Sequence, residues 1–199
     1  MPSCGVLGGI QKTGQDCGGL EEQLSWDQLP PSHCCIPHTT TTTTLITIPT
    51  YPKRTGIVRK CDKAVCDDQG PFNALGASLF WGAWGYKNDR AKLERNLKFL
   101  ADNGFDYIRV LGTVGRLPWW QGRVVDWRWS DYDSVISGLT DLAYDKYGLR
   151  IEWTLIGDGD QMIPSESDRF KLVDKFIVMS NSRKHKIMHF EIANEGWQN

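Results

Sequence analysis

From residue 74 onward, short apolar runs alternate with longer stretches of helical period, and that alternation leaves the chain very few folds. The first run is Ala74-Leu75-Gly76-Ala77-Ser78-Leu79-Phe80, with Gly76 at a point of close approach. Residues 105–112, 149–156 and 187–194 supply three more. A helix is expected to start at Asp89, to bury Leu93, Leu97, Phe99 and Leu100, and to stop at Asn103-Gly104, where glycine takes the left-handed turn that ends helices. Residues 131–147 repeat the period through Val135, Ile136, Leu139, Leu142 and Ala143. Residues 167–180 do so through Phe170, Leu172, Val173, Phe176 and Ile177. The stretches after the strands, residues 81–86, 113–130 and 157–160, read as loops. Near-continuous apolar strands joined by helical crossovers predict a parallel sheet wound in the right-handed sense.

Two architectures have that order. A doubly wound nucleotide fold needs a glycine-rich phosphate turn after an early strand, and neither Gly112 with Gly115 nor Gly157 with Gly159 has the G-x-G-x-x-G spacing. The barrel is favoured. A complete (β/α)8 barrel takes about 250 residues, so the expected fold class is α/β, a partial TIM barrel holding about the first four βα units.

Ahead of it, residues 1–55 and 56–199 differ in character. The first segment mixes Gly, Gln, Cys and Pro without a period, then runs through a threonine homopolymer at 39–44. Such a stretch buries too little apolar area to offset its chain entropy, so a disordered tail and Thr/Pro-rich linker is expected through residue 55. His33, Cys34, Cys35 and His38 lack the separated ligand pairs of a zinc site and read as an incidental cluster. Residues 57–60 and 64–66 flank Cys61-Asp62-Lys63, and Asp67-Asp68-Gln69-Gly70 supplies a second turn. This is a hairpin pattern, positioned to plug the floor of the barrel. Cys61 and Cys66 fit either a bridge across it or two reduced thiols.

A formal net charge of −1 carries no electrostatic footprint for nucleic acid. No apolar run approaches the roughly 18 residues of a membrane helix, and residues 1–30 lack the basic start and apolar stretch of a signal peptide. No cofactor or metal is expected. Tryptophan occurs nine times, more than a core alone requires, so several indoles are expected at a cleft.

The end of the sequence carries the chemistry. His189-Phe190-Glu191-Ile192-Ala193-Asn194-Glu195 reads as a barrel strand whose last residues emerge at the mouth, where (β/α)8 proteins keep their reacting groups. Cleaving a glycosidic bond with retention needs two carboxyl groups about 5–5.5 Å apart, one of them protonated. Glu195 is the candidate acid, with burial at the strand end keeping its proton available; a structural ion pair is the other reading on spacing alone. Trp81, Trp84, Trp119, Trp120 and Trp197 are placed at strand mouths, where indoles form platforms for sugar faces; each taken singly could equally be core. Trp153, inside a strand, reads as core. His189 reads as structural at the barrel floor, and His185 as part of a solvated basic connector.

Taken together, the first apolar run, the strand with Arg109, and Phe190-Glu191-Ile192-Ala193-Asn194-Glu195 resemble the opening half of a cellulase-like glycoside hydrolase of family five, or a near relative in that (β/α)8 clan. The resemblance covers residues 56–199. It implies Glu195 as general acid/base, Asn194 as the residue that binds the sugar 2-hydroxyl, and Arg109 as the residue that orients the nucleophilic carboxylate. Proline commonly follows Asn-Glu in that clan, whereas Gly196 stands here. The clan's nucleophile is a glutamate on strand seven, so the missing C-terminal half of the barrel is an implied partner. Glu191 cannot replace it, because four residues of strand span about 13 Å; it reads instead as a deep barrel residue paired with Arg109. Glu152 lies low in its strand, and Asp158 and Asp160 read as turn residues, or Asp158 as a hydrogen-bonder to substrate. The implied function is retaining hydrolysis of a β-linked oligo- or polysaccharide outside the cell once the protein is complete. The alternative is a non-catalytic carbohydrate-binding or structural barrel.

Overall fold

The computed structural model describes residues 51–115 and 122–195, which fall in the unit Ile48–Asn199. The cysteine-histidine cluster and the threonine run lie outside the described residues. Within residues 51–55, the described end of the expected linker, two side chains are anchored. Tyr51 packs on the core and donates to Asp102 Oδ1 at 2.8 Å, and Arg54 is bound to Asp67. Proline- and threonine-rich composition outweighed these two anchoring side chains in the sequence reading.

Three short strands, β1 (Arg59–Cys61), β2 (Ala64–Asp67) and β3 (Gly70–Phe72), form an antiparallel sheet in that order. The expected hairpin is thus a meander with one strand more. Asp62 turns the first hairpin at a φ of 53°, a left-handed conformation that aspartate tolerates. Cys61 and Cys66 are joined in a disulfide with their Cα atoms 5.8 Å apart, which decides between the two readings of that pair.

The second sheet is parallel, with β4 (Gly76–Ser78), β5 (Tyr107–Leu111), β6 (Arg150–Ile156) and β7 (Ile187–Ala193) neighbouring one another in chain order. No strand reverses the direction of winding, so right-handed crossovers place the connecting helices on one face. Among the described residues β4 and β7 are both edges, and the sheet is open. The glycine in the first run has the use expected of it: a Cβ at Gly76 would fall 2.1 Å from the Tyr107 ring carbon Cζ.

The helices are α1 (Gly82–Asn88), α2 (Arg90–Asp102), α3 (Tyr132–Asp141, continued by a π-helical turn at Leu142–Lys146), α4 (Gly159–Met162) and α5 (Glu166–Ser180). Asp89 caps α2 by accepting the Lys92 amide. Two of these helices, α1 and α4, replace expected loops. The sequence of α1 is rich in glycine and aromatics and poor in helix formers. It forms because small residues allow close approach: a Cβ at Gly82 would lie 3.1 Å from Val110, and one at Gly85 2.4 Å from the Trp81 ring.

The buried stripes are Leu93, Leu97 and Leu100 on α2 and Leu172, Phe176 and Met179 on α5, each at helical spacing. Phe99, Phe170 and Ile177, expected inside, fall off those stripes and are exposed. Trp153 lies fully buried, as its strand position suggested, and donates from Nε1 to Thr140 Oγ1 at 3.1 Å.

At the N-terminal end of the parallel sheet, Arg150 opens β6 and reaches across to the meander. Its Nη1 donates to Asp67 Oδ2 at 2.8 Å and its Nη2 to the Gly56 carbonyl at 2.9 Å. The meander is therefore pinned at the floor of the sheet.

A second carboxylate network ties α2 to the π-helical turn, where Glu94 accepts from Lys146, from the Tyr147 hydroxyl at 2.7 Å and from Arg90 at 2.8 Å. Partial burial pushes the Glu94 carboxyl upward, but these donors outweigh it and draw it down to about 2. A carboxyl depressed in the folded state contributes stability above its unfolded value and loses it as pH falls toward the folded one. Urea unfolding should therefore show stability falling between about pH 4.5 and 2, with Glu94→Gln flattening that slope. An unchanged slope in the variant would remove Glu94 from the account.

Candidate active site

Strand register builds the site. Arg109 on β5 pairs with Glu152 on β6, which pairs with His189 on β7; one step further along, Leu111 pairs with Thr154 and Thr154 with Glu191. Paired residues of a parallel sheet share a face, so Arg109, Glu152, Thr154, His189 and Glu191 lie together. Their strand neighbours Ile108, Val110, Ile151, Trp153 and Leu155 face the other way, into the core with the helices. The sheet therefore has an apolar face under the helices and a polar face opposite.

Arg109 is the hub of that polar face. Its Nε donates to Glu191 Oε2 at 2.9 Å, and its Nη2 donates both to Glu191 Oε2 and, at 3.0 Å, to Asn194 Oδ1. Glu152 Oε1 stands 3.4 Å from Arg109 Nε and 3.2 Å from His189 Nε2. The Thr154 hydroxyl donates to Glu191 Oε2 as well. Burial acts to raise the Glu191 carboxyl, but the hydrogen bonds from Thr154 and Arg109 prevail and hold it below the usual glutamate range. Glu191 is thus an ionised partner of Arg109.

Past the end of β7 the Asn194 amide still donates to the Ile156 carbonyl at 2.8 Å, which holds that residue in the sheet. Glu195 follows with a φ of 35°, a left-handed conformation few non-glycine residues adopt, and is exposed. The burial expected to hold its proton is not supplied by the described residues. No protein-family model matches the chain, and no curated protein matches it.

Of the residues singled out in the sequence, Arg109 and Asn194 are in direct contact, and Glu195 adjoins them along the chain. Trp119, Trp120 and Trp197 lie outside the described residues. Trp81, expected as a sugar platform, is a core residue at 7% exposure, with Arg123 5.4 Å and Lys92 5.5 Å from its ring. The close approach of α1 is what encloses it. Trp84 remains half-buried, with Arg123 6.0 Å from its ring.

Asp158, expected to meet substrate, is 3% exposed, and its carboxylate accepts the Gly115 amide. It ties the loop after β5 to the loop after β6. Sequence reasoning missed Thr154 as the partner of Glu191 and Glu152 as the partner of His189. Strand register, counted from the strand ends, was the signal that could have found both. Among the described residues there is no group of three or more His, Cys, Asp or Glu side chains placed to hold a metal ion.

Proposed function

We propose that this chain is the first part of a retaining β-glycan hydrolase, cellulase-like and built on a (β/α)8 barrel whose remaining strands complete the site. The observation that carries this reading is the hydrogen bond from Arg109, on the second parallel strand, to Asn194, at the end of the fourth. It joins the residues assigned to sugar binding and carboxylate orientation at the place where the acid/base Glu195 emerges. Four parallel strands neighbouring one another in chain order support the barrel reading.

In this reading Glu195 gives its proton to the glycosidic oxygen as a carboxylate from a later strand attacks the anomeric carbon and the bond to the leaving sugar breaks. Glu195, now a carboxylate, then takes a proton from the water that attacks the anomeric carbon of the glycosyl-enzyme, and the bond to the later strand's carboxylate breaks to free the sugar. Asn194 holds a sugar hydroxyl beside the reacting carbon, and the remaining strands enclose Glu195. No cofactor is needed.

One carboxyl group cannot perform both tasks. The purified 199-residue chain is therefore expected to release no aglycone from aryl β-glycosides, whereas a protein extended by the further βα units should hydrolyse them, the first-formed sugar keeping the β configuration by NMR. Turnover by the unextended chain, abolished by Glu195→Gln, would overturn the requirement for later strands. An extended protein that binds β-glycans without cleaving them is a binding protein instead.

A further inference from the structure

We propose that the guanidinium of Arg123, set against the indoles of Trp81 and Trp84, is a binding site for an anionic group, and that the glycan taken by this chain is acidic, bearing a sugar carboxylate. The anion site stands on its own geometry; naming a sugar as the bearer of the charge rests on the hydrolase reading above.

Arg123 lies in the connection between β5 and α3. Val125, two residues on, pairs with Val114 just past the end of β5, which keeps this part of the connection at the C-terminal end of the parallel strands. The guanidinium of Arg123 is half-buried, 5.4 Å from the Trp81 ring and 6.0 Å from the Trp84 ring. Among the described residues, the other buried or half-buried arginines, Arg54, Arg90, Arg109, Arg150, Arg169 and Arg183, each donate to a carboxylate or a carbonyl. Arg123 has no such acceptor there. A planar fork of N–H donors drawn partly out of water without an acceptor is unfavourable, and the indoles offset only part of that loss.

A second cation stands at the same indole. Lys92 Nζ is 5.5 Å from the Trp81 ring, and its half-buried side chain likewise has no acceptor among the described residues. The carboxylates on adjoining elements are engaged by other cations: Asp131 by Lys87, Glu94 by Arg90 and Lys146, and Asp126 by Arg128. Residues 112–125 contain no acidic residue to neutralise Arg123 along the chain.

Two positive groups beside one buried ring repel each other, and a bound anion relieves that repulsion. The fork of Arg123 matches the paired oxygens of a carboxylate, and the exposed part of Trp84 offers an apolar surface to the sugar that carries it. A neutral sugar leaves both charges uncompensated, so the site discriminates against it.

The test uses the full 199-residue chain labelled with 15N, the indole N–H of Trp84 being assigned by its loss in Trp84→Phe. At pH 7 cellobiouronic acid is expected to shift that resonance at concentrations about tenfold below those cellobiose needs, the difference expected for charge-assisted hydrogen bonds. Arg123→Gln should erase the difference by weakening the uronate alone. Arg123→Lys should keep part of it, because an ammonium retains the charge without the fork. Sodium chloride should weaken the uronate and leave cellobiose unaffected.

Equal midpoints for the two disaccharides in the parent chain, or a uronate preference that survives in Arg123→Gln, overturn the anion site. If Arg123→Gln fails to fold, Lys92→Gln and the salt series on the parent chain decide. Inorganic sulfate acting as strongly as the uronate, with both weakened by Arg123→Gln, keeps the anion site and overturns the sugar as its ligand. Aglycone release by the extended protein tests the hydrolase reading without reference to Arg123; a uronate preference without turnover leaves a binding protein for acidic glycans.

Discussion

Asp67→Asn is expected to destabilise the chain by about 3–5 kcal/mol, the cost of leaving one member of a buried ion pair without its partner. The Asp67 side chain is fully buried and that of Arg150 is 2% exposed, so neither can turn to water. Oδ2 of Asp67 accepts from Arg54 Nε and Arg150 Nη1, and Oδ1 accepts from Arg54 Nη2 and the Gln69 amide, each between 2.8 and 2.9 Å. Asparagine would retain one acceptor and place an N–H2 group against a guanidinium.

The pH dependence has the same sign. Burial pushes the Asp67 carboxyl up, but the hydrogen bonds from Arg54, Arg150 and the Gln69 amide override it and hold the carboxyl far below the usual aspartate range. Its contribution is complete above about pH 4, the ordinary aspartate value, and declines as the medium is acidified. Urea melts at pH 7 measure the difference, with the exposed neighbour variant Asp68→Asn as control. A loss under about 1 kcal/mol, typical of a surface pair, would mean that the meander is not held by this ion pair.

Glu195→Gln in the extended protein should lower kcat/KM toward an alkyl or glycosyl leaving group by about 10²–10⁴-fold, the range for general acid–base catalysis. That is about 3–5 kcal/mol of barrier. Glutamine preserves size and hydrogen bonding but cannot give up a proton to the departing oxygen. The loss in the glycosylation step should shrink for a dinitrophenyl leaving group, which departs without protonation, and the alkaline limb of the pH profile should vanish. A variant within about threefold of the parent on every leaving group would remove Glu195 from the chemistry and leave Asn194 and Arg109 as a binding site.

Much of the fold was legible because amphipathic period is a local property. The helix from residue 89 to Asn103-Gly104 was readable from Leu93, Leu97 and Leu100 with an aspartate before and a glycine after, and the structure places α2 at Arg90–Asp102. The pairing of Arg109 with Glu191 was readable because both lie on one face of strands expected to share a sheet, and the structure has that ion pair. Phe99 and Phe170 were misplaced for a related reason: hydrophobicity names candidates for burial, and only the angular position on the helix decides among them. Trp81 and Asp158 had been given to the site by their place after a strand. They were enclosed by α1 and by the loop at Gly115, contacts that no periodicity encodes.

By itself the sequence determined the βα alternation, the limits of the longer helices and the strand that carries Arg109, since each follows from side-chain spacing within one segment. Only the tertiary structure decided that Cys61 bonds Cys66, that Arg150 anchors the meander through Asp67, that Trp81 is core and Glu195 exposed, and that Glu191 holds Arg109 against Asn194. Apart from the Cys61–Cys66 bridge, the enclosure of Trp81 by α1 and the exposure of Glu195, these depend on groups tens of residues apart in the chain, whose meeting is set by strand register and by how closely neighbouring elements pack.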